Sequence, residues 1–245
     1  MHPKPTTALV TGGARRIGAA ISRALAQRGL AVVIHHGHSP HAATALIREI
    51  AAQGGEAHAL EADLGDPSEL QTLLERAEER LSGRPVTLLV NNAAIFERGD
   101  LIDTSLELWQ RHLEINLTAP FLLTRDFARR LPNEEHGQII QIIDQHADRP
   151  RLHYAAYSAA KSALWTLTRQ AALELAPRIR VNAIGPGPIL PAPGDSAVTF
   201  AQIGSATPLR RAGSTDDIIS ALQFLMDHDF VTGELIRVDG GEHLR

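Results

Sequence analysis

Three side chains in the second half of this 245-residue chain could move a proton. Tyr157 and Lys161 stand four residues apart, in Tyr157-Ser158-Ala159-Ala160-Lys161. On a helix that spacing puts a phenol and an ammonium on one face, one turn apart. A neighbouring cation favours the phenolate. The lysine is therefore expected to lower the tyrosine pKa and make the phenol a proton donor near neutral pH. Asp144 lies thirteen residues before Tyr157. An ionised carboxylate only accepts hydrogen bonds. It is poorly suited to polarising a carbonyl, and better suited to a substrate that donates N–H groups or receives a proton at nitrogen.

Such residues need a frame. Short apolar runs alternate with longer helical patterns, the signature of βαβ units. The pattern predicts strands over 8–11, 31–35, 57–61, 88–91, 138–143, 180–184 and 235–238. Several are β-branched or leucine-rich without alternation, as expected for strands buried on both faces. Helices are predicted over 17–27, 41–53, 68–81, 106–116, 121–130, 154–175 and 215–226. Seven strands with crossover helices make an α/β, doubly wound parallel sheet with helices on both faces, a single Rossmann-type domain spanning 1–245. Its cofactor half would run to about 118 and its catalytic half from about 119. The long Pro- and Gly-rich stretch 185–213 follows a strand's carboxyl end, where a functional lid is expected.

Composition narrows the field. The length suits one large domain. A net charge of −4 with both signs mixed gives no reason to expect a nucleic-acid partner. Without cysteines there are no disulfides, thiol nucleophiles or Cys-based zinc sites. The start, Met1-His-Pro-Lys-Pro5, leads straight to a strand, and no apolar run could span a bilayer. A soluble cytoplasmic protein is the expectation.

The first strand runs into Thr11-Gly12-Gly13-Ala14-Arg15-Arg16-Ile17-Gly18. Glycines there allow a tight turn and let backbone N–H groups approach a diphosphate at the helix N-terminus. A surface turn with two solvated arginines is the plainer alternative. The second strand ends in His35-His36-Gly37-His38-Ser39. A carboxylate there would hold the ribose of NAD; its absence beside cations suits the 2′-phosphate of NADP. Arg15 is the candidate clamp, with His38 and Ser39 as helpers. A metal site among His35, His36, His38 and His41 is a weaker alternative, since no acidic or cysteine partner is near in sequence.

Taken together, these motifs resemble the short-chain dehydrogenase/reductase family from end to end. The resemblance implies catalytic roles for Tyr157, Lys161 and Asn116, the last supporting a water chain to the lysine. It implies cofactor contacts from Gly12, Ile17, Gly18, Asp63, Leu64, Asn92, Ala93, Ala94, Pro186, Gly187 and Ile189. Asn91, beside Asn92, would be a structural amide. Position 144 is usually serine in the family, so Asp144 is a departure. Arg16, at the motif's middle glycine, and Phe96, five residues after Asn91, are shared with its pteridine reductases. Phe96 would stack a flat pterin against the nicotinamide; a core phenylalanine is the plain alternative. Leu190 would follow Ile189 into the substrate lid, and Tyr154 and His153 would border the pocket or an interface. The ending Glu242-His-Leu-Arg245 is similar to bacterial dihydromonapterin reductases, and Arg245 would reach a neighbouring subunit. The helices 121–130 and 154–175 are the family's dimerisation faces, which implies a homotetramer. The implied reaction is NADPH-dependent reduction of a dihydropterin, with dihydrofolate a poorer substrate. A general carbonyl reductase for 3-oxoacyl thioesters explains Tyr157, Lys161 and Asn116 equally well, but not Asp144, Arg16 and Phe96 together. A non-catalytic NADP-binding regulator would have lost Tyr157 or Lys161.

Overall fold

The runs of Val, Ile and Leu form strands whose successive side chains point to opposite faces, so each strand feeds two cores at once. In the computed structural model, which describes residues 4–192 and 196–244, they build one parallel sheet. The strands are β1 (Thr7–Val10), β2 (Ala31–His36), β3 (Ala57–Glu61), β4 (Leu88–Asn91), β5 (Gly137–Ile142), β6 (Ile179–Pro186) and β7 (Leu235–Val238). Their order is β3-β2-β1-β4-β5-β6-β7. The order reverses beside β1, between β1 and β4, which register Ala8 on Leu88 and Val10 on Val90. Ligands bind at such a switch point, outside the strands' carboxyl ends.

On one face, Val10, Val32, Ile34, Val90 and Ile140 pack with Ile21, Leu25, Leu46 and Leu222. These last come from α1 (Arg16–Gln27), α2 (Pro40–Ala52) and α8 (Thr215–Asp227). On the other, Leu9, Val33, Leu89, Ile139 and Val181 pack with Leu73, Leu123, Phe127 and Ala171. Those helices are α3 (Pro67–Arg80), α5 (Ala119–Arg130) and α6 (Ala155–Leu175). Among the described residues no helix is long and apolar enough to cross a membrane.

Two predicted elements come out differently. The residues 117–120, taken as a break between helices, are continuous: α4 (Leu106–Leu113) passes through one π turn, Glu114–Thr118, into α5. Pro120 does not stop the chain: it falls where the π turn hands over to α5 and the ladder of backbone bonds is already irregular. The stretch 185–213 is not all irregular. β6 continues to Pro186, and α7 (Ala197–Ala206) forms with Ser196 Oγ accepting the Thr199 N–H. Its Gly204 and the Pro and Gly before it hid this short helix; that glycine is needed because a Cβ would lie 2.4 Å from the Ala212 nitrogen.

Candidate active site

At the cofactor end, backbone groups do most of the positioning. Thr11 Oγ1 accepts the N–H groups of Asn92 (2.9 Å) and Ala93 (3.0 Å). The Asn92 amide donates to the carbonyls of Thr11 (2.9 Å) and Gly12 (3.2 Å). Asn92, rather than Asn91, is therefore the amide that ties β4 to the glycine turn. Both polar atoms of the Asn91 amide are buried without a partner among the described residues. Gly12 takes φ +60°, which glycine adopts without strain. A Cβ on Gly18 would lie 2.1 Å from the Gly12 carbonyl oxygen, so the turn closes only over glycine.

The amino end of α1 has no side-chain cap and no acid in its first turn. Its open amides suit an anion. The side chains of Arg15 and His38 are exposed and make no hydrogen bond or ion pair among the described residues, and Ser39, next to His38, stands at the N-cap of α2. No carboxylate stands on 35–39. These residues fit a nucleotide with a 2′-phosphate. Asp63 keeps one oxygen on the Gly65 N–H at 2.8 Å. The side chains of Leu64 and Ile189 are buried in the cores and that of Ile17 packs against one, so a cofactor would meet mainly their backbone. Leu190 also packs on the core instead of standing free in a lid. Pro186 and Gly187 close β6 against β7, with the Gly187 N–H donating to the Val238 carbonyl at 3.0 Å. Ala94 is exposed after β4.

Arg16 takes φ +53°, a left-handed conformation that costs a non-glycine residue roughly 1–2 kcal/mol. Its guanidinium crosses the cleft to the Pro191 carbonyl at 2.7 Å. Arg16 thus links the turn to the loop before α7.

His35 is a strut and not a ligand. The Gly12 N–H donates to its Nδ1 at 3.1 Å, so the ring proton sits on Nε2, which donates to the Ala62 carbonyl at 3.0 Å. Burial drives its pKa down to about 4. Among the described residues no group of three His, Cys, Asp or Glu could hold a metal ion.

At the substrate end, side chains do the work. Asp144 follows β5, and its Oδ2 accepts the Tyr157 hydroxyl at 2.8 Å. Its Oδ1 accepts the His146 N–H at 2.8 Å. It keeps 9% of its surface. Tyr157 sits in the first turn of α6, and Lys161 one turn on donates to the Ile142 carbonyl at 2.9 Å. The lysine does not lower the tyrosine pKa as the spacing suggested. Burial, the Asp144 charge and the hydrogen bond to Asp144 push the phenol well above its ordinary value, with Arg151 pulling weakly the other way. The geometry explains this: the carboxylate touches the hydroxyl, whereas Lys161 Nζ lies beside the ring, 5.9 Å from its centroid. Burial brings Lys161 down to about 8, against the pull of Asp144.

Asn116 falls in the π turn, a distortion common at functional sites. Its amide clamps Ile95, accepting the N–H at 2.9 Å and donating to the carbonyl at 3.0 Å. One turn earlier, His112 is fully buried; its Nε2 accepts the Glu97 N–H at 3.4 Å and its Nδ1 donates to the Leu108 carbonyl at 2.9 Å. Phe96 is thus pinned on both sides. It is 40% exposed, not a core residue. Its ring stacks on Tyr154 (4.3 Å, 7°) and meets Tyr157 edge-on (4.7 Å, 78°). His153, at φ +66°, hydrogen-bonds Asp100, and Gly99 pairs with Tyr154.

The sequence brought out Asp144, Tyr157, Lys161, Phe96 and Tyr154, and the structure gathers them. It missed His112, Arg151 and the strut role of His35. The signal for His112 was its place four residues before Asn116, on the same helical face. Arg245, and residues 193–195 of the expected lid, lie outside the described residues.

Comparison with known proteins agrees with this architecture. A family model described as enoyl-(acyl carrier protein) reductase matches residues 12–243. A 3-oxoacyl-[acyl-carrier-protein] reductase from Synechocystis is 35% identical, over 96% of this chain and 95% of that one. The crystal structure of FolM alternative dihydrofolate reductase 1 from Brucella canis, complexed with NADP, is 38% identical. It superposes with a TM-score of 0.93 over 98% of this chain and 94% of the other. A blue fluorescent protein from a metagenomic library, crystallised with NADPH, is 37% identical, with a TM-score of 0.88 over 98% and 99% of the two chains. With the glycine turn, the Tyr157–Lys161 pair and the seven-stranded sheet in place, the chain belongs to the short-chain dehydrogenase/reductase family of oxidoreductases.

Proposed function

We propose that this protein is an NADPH-dependent reductase of pteridines, converting a dihydropterin such as dihydromonapterin or dihydrobiopterin to the tetrahydropterin. The observation that carries the reading is the Tyr157 hydroxyl donating to Asp144 Oδ2 at 2.8 Å. A ketone needs a donor at position 144, and a carboxylate has none to give. A pterin ring presents N–H groups to it. The likeness to a FolM alternative dihydrofolate reductase with NADP supports both substrate class and cofactor.

NADPH, when bound, supplies hydride to a carbon of the C=N bond. The protein's own residues handle the proton. Tyr157 Oη carries the proton and donates it in a hydrogen bond to Asp144 Oδ2. Its delivery to the substrate nitrogen leaves a phenolate, a second negative charge beside the Asp144 carboxylate, and the Lys161 ammonium is the cation that offsets it. A proton from water then restores the phenol. Phe96 offers a ring face to stack the pterin. The exposed Phe121 and a cavity of about 470 Å³ between Leu117, Phe121, Thr166 and Gln170 suit subunit packing, which supports a homotetramer through α5 and α6.

A 3-oxoacyl-thioester reductase is the second reading, favoured by the Synechocystis relative. NADPH oxidation with 7,8-dihydropterins and with an acetoacetyl thioester separates the two. Dihydropterin turnover that falls about 10²–10⁴-fold in Tyr157→Phe is expected, with Asp144→Ser losing pterin activity and gaining thioester activity. Thioester reduction without pterin turnover would overturn the pteridine reading.

A further inference from the structure

The mouth of the substrate site carries a cation that the proton chemistry above does not use. The Arg151 guanidinium carbon lies 5.4 Å from the Phe96 ring centroid and 5.3 Å from that of Tyr154. It sits astride the stacked pair. The loop bearing it is held: the Arg151 N–H donates to Ser158 Oγ at 3.2 Å, and its carbonyl accepts the Tyr154 N–H at 3.3 Å.

The charges around it are already engaged. Asp144 takes the Tyr157 hydroxyl and the His146 N–H. Asp148 pairs with Arg237, and Asp100 with His153. Among the described residues the Arg151 guanidinium has ring contacts and no hydrogen bond or ion pair. A guanidinium held at the edge of a stacked aromatic pair, with no polar partner of its own, keeps its N–H donors free for a carboxylate or phosphate, which they can hold with two parallel bonds.

We infer that Arg151 is an anion clamp at the substrate mouth, selecting pteridines whose side chain ends in a carboxylate or phosphate over neutral ones. This rests on the pteridine reading. The ring bound at Phe96 must send its side chain outward past the rim that Arg151 occupies.

The test measures kcat and KM with NADPH for dihydrofolate, 7,8-dihydroneopterin monophosphate, and neutral 7,8-dihydroneopterin and dihydrobiopterin. Wild type is compared with Arg151→Gln, and with Arg98→Gln, which removes an exposed cation two residues from Phe96 that makes no ring contact. In Arg151→Gln the kcat/KM ratio of anionic to neutral substrates should fall about tenfold or more, mainly through KM. A fall confined to dihydrofolate assigns a carboxylate, and one confined to the monophosphate assigns a phosphate. An unchanged ratio overturns the clamp, as does an equal fall in Arg98→Gln, which would mark a diffuse field. If wild type turns over none of the four, the pteridine reading fails and takes the clamp with it.

Discussion

The cofactor end closes on backbone and neutral groups: Gly12 against Asn92 and His35, and Gly18 under the Gly12 carbonyl. The substrate end closes on charged and aromatic side chains: Asp144 on Tyr157, Lys161 on a strand carbonyl, and Arg151 over two rings. The first holds a ligand common to many reactions and needs one fixed shape. The second chooses a substrate and moves a proton, so its parts are side chains that can be exchanged without rebuilding the sheet. Changes at the two ends should therefore fail differently, in cofactor affinity and stability at one, and in rate and selectivity at the other.

Gly18→Ala should give the largest effect. Its Cβ would fall 2.1 Å from a carbonyl oxygen that cannot retreat without opening the turn. NADPH affinity should drop by at least about a hundredfold, a cost on the scale of a severe steric mutation. Nucleotide binding by calorimetry checks this. Wild-type affinity in the alanine variant would mean the turn is less rigid than its contacts suggest.

His35 is the next lever. Its folded pKa, about 4 against an ordinary 6.5, means the unfolded chain binds more protons between those values. Stability should be full above about pH 6.5 and decline as pH falls toward 4; the drop corresponds to about 3 kcal/mol. A doubly protonated ring would also face the Gly12 N–H with another donor. His35→Leu should flatten that acid decline in thermal melts while lowering stability at neutral pH, because it strands the Gly12 N–H and the Ala62 carbonyl.

The same contrast explains what could be read without coordinates. β1, the glycine turn and Tyr157–Lys161 were legible because backbone geometry and helical spacing dictate them locally. The π turn was not, since Asn116 and His112 are engaged by the segment Ile95–Glu97, which lies 21 and 15 residues away from them in sequence. The sign of the Tyr157 shift was misread for a related reason. Spacing showed Lys161 on the same helical face, but only the fold brings Asp144 to 2.8 Å from the hydroxyl. Short α7 was lost among prolines and glycines whose role is to let loops approach one another.

Lys161 tests the substrate end from another side. Burial brings it to about 8. If the ammonium is the working form, kcat/KM should decline as pH rises through about 8, approaching tenfold per unit beyond it. Stability should move oppositely between about 8 and 10.5, rising as the buried charge is lost, because there the unfolded chain binds the extra proton. A pH–rate profile beside denaturant midpoints at the same pH values checks both. A parallel fall in the two would assign the activity loss to unfolding and not to the lysine.

Phe96→Leu should have the smallest effect and the sharpest selectivity. The ring is partly exposed, so its loss leaves little cavity, and stability should change by less than about 1 kcal/mol. Its stacking with a planar substrate is worth roughly 0.5–1.5 kcal/mol beyond burial. KM for a dihydropterin should then rise by a factor between about two and ten, while NADPH affinity stays at the wild-type value. The His112 and Asn116 clamps act on the backbone on either side and remain intact. A matching loss of NADPH affinity would show that Phe96 belongs to the cofactor end, and would place the boundary between the two regions one residue further along the chain.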